Sequence, residues 1–272
     1  MLRVTFDSNV WEHIVDWVRY GSDQPARKTI HDAIRDGVIS AYISERILTV
    51  ESIRRSTRAA KLAELADNYV SVKTEVVEGG ATLIVSFNGV SDLHPGAHPV
   101  LSDRLMRATA LGFKVLPDSF FGTVLPSEPD LSPFYAGPEE WGDRTRDEIL
   151  NEDSRISSEI ASRGVGRGRL EAIGKRIQSR LGWSDCGWFD GLDRPKDESE
   201  AKEIADAFGE MVDGDVVAAH IAYRFNILCT QDLGGKRASI FDTANRRWLT
   251  DRYGVSIMGV RELAATIAAS KA

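Results

Sequence analysis

Short apolar runs alternate with helical periodicities along this chain. Leu2-Arg3-Val4-Thr5-Phe6 reads as a strand that stops at Asp7, and Val10, Ile14, Val15 and Val18 then recur at helical spacing over residues 10–20, with Ser8 or Asn9 suited to cap the helix start. An amphipathic stretch over 26–35 ends at Asp36-Gly37, and residues 38–43 read as a strand closing at Ser44. A helix follows from about residue 45 to residue 67, then an irregular connection rich in Gly, Pro and His over 79–99 that can hold a strand at 81–87. Residues 103–111 look helical and lead into a third strand at 113–117.

Regular patterning then fades. From Asp118 to about Asp197 the chain is dominated by Pro, Gly, Trp and charge, with helical candidates at 144–160 and 168–181, and it reads as an insertion. Order resumes with helices at 198–211 and from Asp215 to Phe225, strands at 226–229 and 255–258, and a closing helix. Buried strands each preceded or followed by a helix indicate an α/β fold with a central, mostly parallel sheet, whose ligand sites open at the carboxyl ends of the strands. The expected division is a main domain of 1–120 and 198–272, with 121–197 as a helical or irregular insertion serving substrate or partner.

Composition narrows the classes. With 272 residues and 42% hydrophobic content the chain can bury one large core. A net charge of −7 argues against the uniformly basic surface of a general nucleic-acid binder, but not against a local basic stripe. One such stripe, residues 161–180, holds Arg163, Arg167, Arg169, Lys175, Arg176 and Arg180 against Glu171 alone, and the acidic segment 185–215 follows it. The stripe reads as an RNA clamp, in which Arg167 and Arg169 would bind substrate, or as a partner for the acidic segment; the clamp is preferred. Two cysteines, Cys186 and Cys229, give no disulfide framework, and Cys229 fits a small buried thiol. With neither a signal-peptide pattern nor an apolar run of roughly 18 residues, the expectation is a cytoplasmic protein without membrane contact.

Two carboxylates, Asp7 and Asp232, close strands at opposite ends of the sequence, and such a pair invites a divalent cation. Asp215 opens Asp-Val-Val-Ala-Ala-His-Ile-Ala, where an acid at a helical amino terminus has the ordinary explanation of the helix dipole. His220 in that segment reads as packing, and Trp183 and Trp188 as core or loop anchors in preference to base-stacking platforms.

Taken in order, strand-Asp7-Ser8-Asn9-helix, the Ile-Leu-Thr-Val-Glu51 segment after a strand ending in Ser44, the Asp215 segment and Ile-Leu-Cys-Thr-Gln-Asp232 resemble the PIN-domain nucleases, which include the ribonuclease toxins of bacterial toxin–antitoxin pairs. The resemblance covers roughly residues 1–120 and 198–265. It implies a PIN-like three-layer fold and a Mg²⁺- or Mn²⁺-dependent endoribonuclease that leaves a 5′-phosphate and a 3′-hydroxyl. Carried over by position, the catalytic, metal-binding acids are Asp7, Glu51, Asp215 and Asp232, supported by the hydroxyls of Ser8 and Thr230. Glu45 rivals Glu51 and Asp213 rivals Asp215. Arg54, Arg55 and Arg58 could grip phosphates or form a solvated basic face. For a toxin the resemblance implies an antitoxin that blocks the acidic pocket, although the chain is considerably longer than the compact toxin members. Monomer and homodimer both stay open.

Several carboxylates gathered without basic partners would repel one another and are best stabilised by hard divalent ions held through oxygen. Asn9 stands where a phosphatase of the haloacid-dehalogenase type carries its second Asp, and no Gly-x-Gly-x-x-Gly or Gly-Lys-Ser/Thr loop follows the first strand. The serious alternative is a PIN-like scaffold that has lost catalysis and binds RNA or protein.

Overall fold

Val4, Thr5 and Phe6 are all fully buried although their side chains alternate between the two faces of the first strand, so the sheet is covered on both sides. The computed structural model describes residues 1–19, 23–52, 71–77, 80–86, 99–117, 134–184, 187–233 and 239–270, with the backbone alone for 49–52, 71–77, 80–86 and 99–102. Strand β1 (Leu2–Phe6) leads through α1 (Ser8–Val15) and α2 (Gln24–Arg35) to β2 (Ile39–Ser44), from which α3 (Glu45–Ser52) departs directly. An antiparallel pair, β3 (Ser71–Val77) and β4 (Gly80–Ser86), forms its own two-stranded sheet. Helix α4 (Pro99–Leu111) then enters β5 (Phe113–Leu116). The short α5 (Pro138–Trp141), α6 (Arg146–Ser162), α7 (Arg167–Leu181) and α8 (Glu198–Ala222) precede β6 (Ile227–Cys229), α9 (Thr243–Tyr253), β7 (Ser256–Met258) and α10 (Val260–Ser270).

The chain is α/β, with a five-stranded sheet in the order β5-β2-β1-β6-β7 and every neighbouring pair parallel. Helices flank it: α2 packs with α10 and α1, and α8 packs with α3, α6 and α7. From the central β1 the chain builds β2 and β5 on one side, then β6 and β7 on the other. That reversal of direction is the topological switch at which open α/β sheets leave a crevice beyond the carboxyl ends of their strands. Among the described residues no helix is long and apolar enough to cross a membrane.

Three local expectations are corrected. Asp7 itself, not Ser8 or Asn9, is the N-cap of α1; its carboxylate accepts from the Ser8 amide, and the helix ends at Val15 with a 3₁₀ turn at Trp17–Arg19. The strand at 80–86 has a partner, β3, in which Val72, Thr74 and Val76 alternate with Lys73 and Glu75 at the strand period. The two helices expected at 198–211 and from Asp215 onward are one 25-residue helix, α8, so Asp215 lies well inside a helix and not in its first turn.

The interruption at Gly214 that divides the sequence pattern has a packing cause. A Cβ on Gly214 would stand 2.9 Å from the Gly166 Cα, so the glycine is there for the close approach of the α6–α7 connection. Helix α8 spans two cores. Its first half joins Ile204, Ala207, Phe208 and Met211 to Leu170, Ile173 and Ile177 of α7, and its second half carries Val216, Val217, Ala218 and Ala222 into the main core beneath the sheet. Part of the insertion belongs to the main core as well, through Ile149, Ile156 and Ile160 of α6. Trp188 packs against the α7 cluster and stacks on Phe189 at 3.4 Å between ring centroids, an anchoring role.

Helix α7 lies so close to the 188–191 turn that a Cβ on Gly174 would meet the Trp188 carbonyl oxygen at 2.2 Å, whereas nothing lies within 4 Å of one on Gly209 in α8. Gly174→Ala should therefore lower the unfolding free energy by about 1–3 kcal/mol. Gly209→Ala should raise it by about 0.5–1 kcal/mol through the loss of unfolded-chain freedom. Denaturant titration of both variants checks the pair, and equal effects of the same sign would contradict this packing.

Candidate functional site

Asp7 is held at the switch point by the backbone that follows two adjacent strands. Its amide donates to the Cys229 carbonyl at 3.0 Å, prolonging the β1–β6 ladder by one step, so Asp7 stands level with Thr230. The Thr230 hydroxyl donates to Asp7 Oδ2 at 2.7 Å and accepts from the Asp232 amide at 3.0 Å. Asp7 Oδ1 accepts from the Ser8 backbone N–H at 2.7 Å, so the contact with Ser8 runs through the main chain. Across the same crevice, Asn9 Oδ1 accepts from the Gln231 amide at 3.1 Å. The first helix and the loop after β6 are thus stitched together around two carboxylates.

Asp7 is fully buried. Burial pushes its carboxyl above the usual carboxylate range and the charge of Asp232 pushes in the same direction, while the bonds from Thr230, Ser8 and Asn9 oppose them. Thr5, one pleat below, meets His220 of α8 through its hydroxyl, 2.9 Å from Nδ1. Burial drives that imidazole down to about 3, so His220 is neutral and packs against the sheet. The Cys229 thiol is buried beside Asp7 and pushed well up.

Asp215 is placed differently. Its Oδ2 forms an ion pair with Arg46 Nε at 3.0 Å, and its Oδ1 accepts from the Ser157 hydroxyl of α6 at 3.1 Å. The Arg46 side chain is 2% exposed and that of Asp215 14%. Removing one partner of such a buried pair costs on the order of 3–5 kcal/mol. This corrects the expectation of carboxylates converging without basic partners, since one of the acids has a guanidinium beside it. Asp213 lies two residues earlier, about 200° round the helix from Asp215, and so on another face, whereas Ala219 and Ala222 share the Asp215 face.

Arg46 and Ser157 were not singled out by the sequence. Arg46 stands in an unremarkable helical stretch and Ser157 in the middle of the insertion, and neither has a local pattern that marks a partner so distant along the chain. Glu45, the rival to Glu51, is buried and accepts from the Tyr135 hydroxyl at 2.9 Å, which anchors the return segment after β5. Glu51 lies in α3, but its side chain is outside the described residues, as are Arg54, Arg55 and Arg58. Among the described residues no three acidic, histidine or cysteine side chains gather closely enough to hold a metal ion.

The preferred clamp reading of the basic stripe is corrected in part. Arg176 pairs with Glu203 at 2.6 Å and Glu200 at 3.4 Å, and Arg180 pairs with Glu200 at 2.9 Å, so these cations bind α7 to the acidic start of α8. Arg163 donates to Asn245 at 3.0 Å and lies 4.3 Å from the Trp248 ring centroid. Arg167 and Arg169 are half-buried, and Arg169 acts electrostatically on Glu203 and Glu210. Trp183 is 40% exposed at the end of α7.

Comparison with protein-family models, curated proteins and solved structures finds no match to this chain.

The two buried groups titrate with opposite signs. The raised Asp7 carboxyl favours the folded state when protonated, so its contribution is lost as pH rises through its folded value; the lowered His220 favours the folded state when neutral, so its contribution is lost as pH falls below the ordinary histidine range towards about 3. Asp7→Asn keeps an oxygen for the Ser8 amide and removes the buried charge. It should leave the protein at least as stable as wild type at neutral pH, and flatten the decline in stability as pH rises above the ordinary carboxylate range. Denaturant unfolding across that range checks this, and a variant weaker than wild type at every pH would contradict it.

Proposed function

We propose that this protein is a divalent-metal-dependent nuclease acting on RNA, with Asp7 and Asp232 as the acids of its site. The observation that carries the reading is the Thr230 bridge, which holds the two carboxylate-bearing segments side by side at the switch point of the sheet while burial and mutual repulsion make the Asp7 anion unfavourable without a cation. The donors are hard oxygens, and one or two carboxylates completed by substrate phosphate oxygens suit Mg²⁺ or Mn²⁺ better than zinc. The oxygen chemistry of Asp7 and Asp232 suits such an ion, and among the described residues no third acid, histidine or cysteine joins them. When bound, the ion would supply a water of lowered pKa and offset charge on the phosphodiester.

The chain contributes position. The Thr230 hydroxyl and the Ser8 amide fix both oxygens of Asp7. The amide of Asp232 is fixed by the same hydroxyl, and the amide of Gln231 by Asn9. Glu51 is a further acid of this reading. A catalytically inactive PIN-like scaffold is the second reading, favoured by the ion pair that already occupies Asp215. An antitoxin or another protein partner would belong to a toxin role, which rests on the sequence resemblance alone.

Wild type, Asp7→Asn and Asp232→Asn incubated with structured and single-stranded RNA and DNA, in Mn²⁺ or in chelator, decide between the two. The expected result is RNA cleavage by wild type that leaves 5′-phosphate and 3′-hydroxyl ends and falls at least about a hundredfold in either variant and in chelator. Cleavage that persists in chelator or in Asp7→Asn would contradict the nuclease reading.

A further inference from the structure

The hairpin of β3 and β4 stands outside the main sheet, and among the described residues the outer edge of each strand has no partner strand. A two-stranded ribbon is marginal in water, and further strands stabilise it. The register fixes what the β3 edge offers. Val77 pairs with Gly80, two residues intervene in the chain, and so short a connection closes on a hydrogen-bonded pair. Hydrogen-bonded and non-hydrogen-bonded pairs alternate from there, so the main-chain groups of Lys73 and Glu75 are directed to β4 and those of Val72, Thr74 and Val76 to the free edge. The ladder sets Lys73 opposite Ile84 and Glu75 opposite Thr82, so neither charge has its complement across the hairpin.

A strand that meets a second copy of itself antiparallel does so about a two-fold axis, and whatever residue i faces, its copy faces in return. The register centred on Thr74 overlaps all seven residues of β3. In it Thr74 faces its own copy, Val72 faces Val76, and Lys73 faces Glu75, each of these last two pairs occurring on both sides of the axis. Val72, Thr74 and Val76 then take the hydrogen-bonded positions, and the opposite charges fall on the non-hydrogen-bonded ones, where facing residues come closest. A slip of two residues sets Lys73 against Lys73 or Glu75 against Glu75, and like charges directly opposite are destabilising. Wider slips leave less than half of the strand paired. The outward positions of β4, Ala81, Leu83 and Val85, are flanked by no charge that would choose one register over another.

We propose that the β3 edge is a homodimer interface, at which a second copy of this chain pairs antiparallel about Thr74 and joins two hairpins into one four-stranded sheet. The charge pattern of Lys73 and Glu75 is self-complementary in that register and repulsive in its neighbours, which is what a symmetric joint requires of an edge strand. The alternation also matches across the joint, so Val72, Thr74 and Val76 of both copies lie on one face of the enlarged sheet. This inference is independent of the metal-dependent reading of Asp7 and Asp232.

Sedimentation velocity of the full chain tests it, using wild type, Lys73→Glu, Glu75→Lys, a one-to-one mixture of these two variants, and the exchanged double variant Lys73→Glu/Glu75→Lys. The expected result is a wild-type dimer whose Kd rises at least about tenfold in either single variant, where every facing charge pair becomes a like pair. The mixture and the double variant both restore opposite charges at each facing position and are expected to dimerise like wild type. A wild type that stays monomeric at about 100 μM, a dimer indifferent to either single substitution, or single variants whose dimer returns neither on mixing nor on charge exchange would overturn the proposal. Circular dichroism accompanies each variant. Should a single variant fold poorly, the double variant decides, since it keeps one charge of each sign on the strand; a folded double variant that is monomeric where wild type is dimeric would equally overturn the interface.

Discussion

A single hydroxyl ties the two ends of this sequence together. Thr230 donates to the buried carboxylate of Asp7 and accepts from the amide of Asp232, so the residue that ends β1 and the loop that leaves β6 share one oxygen. The arrangement depends on the parallel order β2-β1-β6, which brings an amino-terminal strand beside one formed more than two hundred residues later. It also depends on Asp7 being short enough to cap its own helix while facing Thr230. A Glu at this position would have to fold back to satisfy the same amide. The cost is a carboxylate with no exposed surface and a second acid acting on it, so the Asp7 anion is disfavoured.

Charge is managed differently at Asp215. Where Asp7 has only hydrogen-bond donors, Asp215 has a guanidinium and a hydroxyl. The Asp215 carboxylate is therefore compensated and that of Asp7 is not, and the difference in environment separates two acids that look alike in sequence. The insertion takes part in the main core and holds Asp215. Helix α6 sends Ile149, Ile156 and Ile160 into the main core and Ser157 to Asp215, while α7 builds a second core on the first half of α8. Arg176 and Arg180 of that second unit are spent on Glu200 and Glu203, which is how a strongly segregated charge pattern resolves within the chain.

Much of this architecture was legible because its strands are short, apolar and bounded. β1, β2, β5, β6 and β7 all lie where the apolar runs place them, and the α/β class with a parallel sheet follows from their alternation with helices. What was not legible depends on contacts between distant segments. Gly214 reads as a helix boundary until the backbone of Gly166 is seen 2.9 Å from where its Cβ would be. At the site, Asp7 and Asp232 announce themselves by ending apolar runs, and Thr230 by its place in the second. The pairing of Arg46 with Asp215 leaves no such mark, because a guanidinium in a helix reads the same whether it meets solvent or a buried acid.

In the proposed function a divalent cation binds at Asp7 and Asp232. Diffraction from crystals soaked in Mn²⁺, collected to reveal anomalous scattering, tests it most directly. One anomalous peak within coordinating distance of the carboxylates of Asp7 and Asp232 is the expected result. A peak confined to other acids, or ordered crystals with none in the crevice, would contradict it.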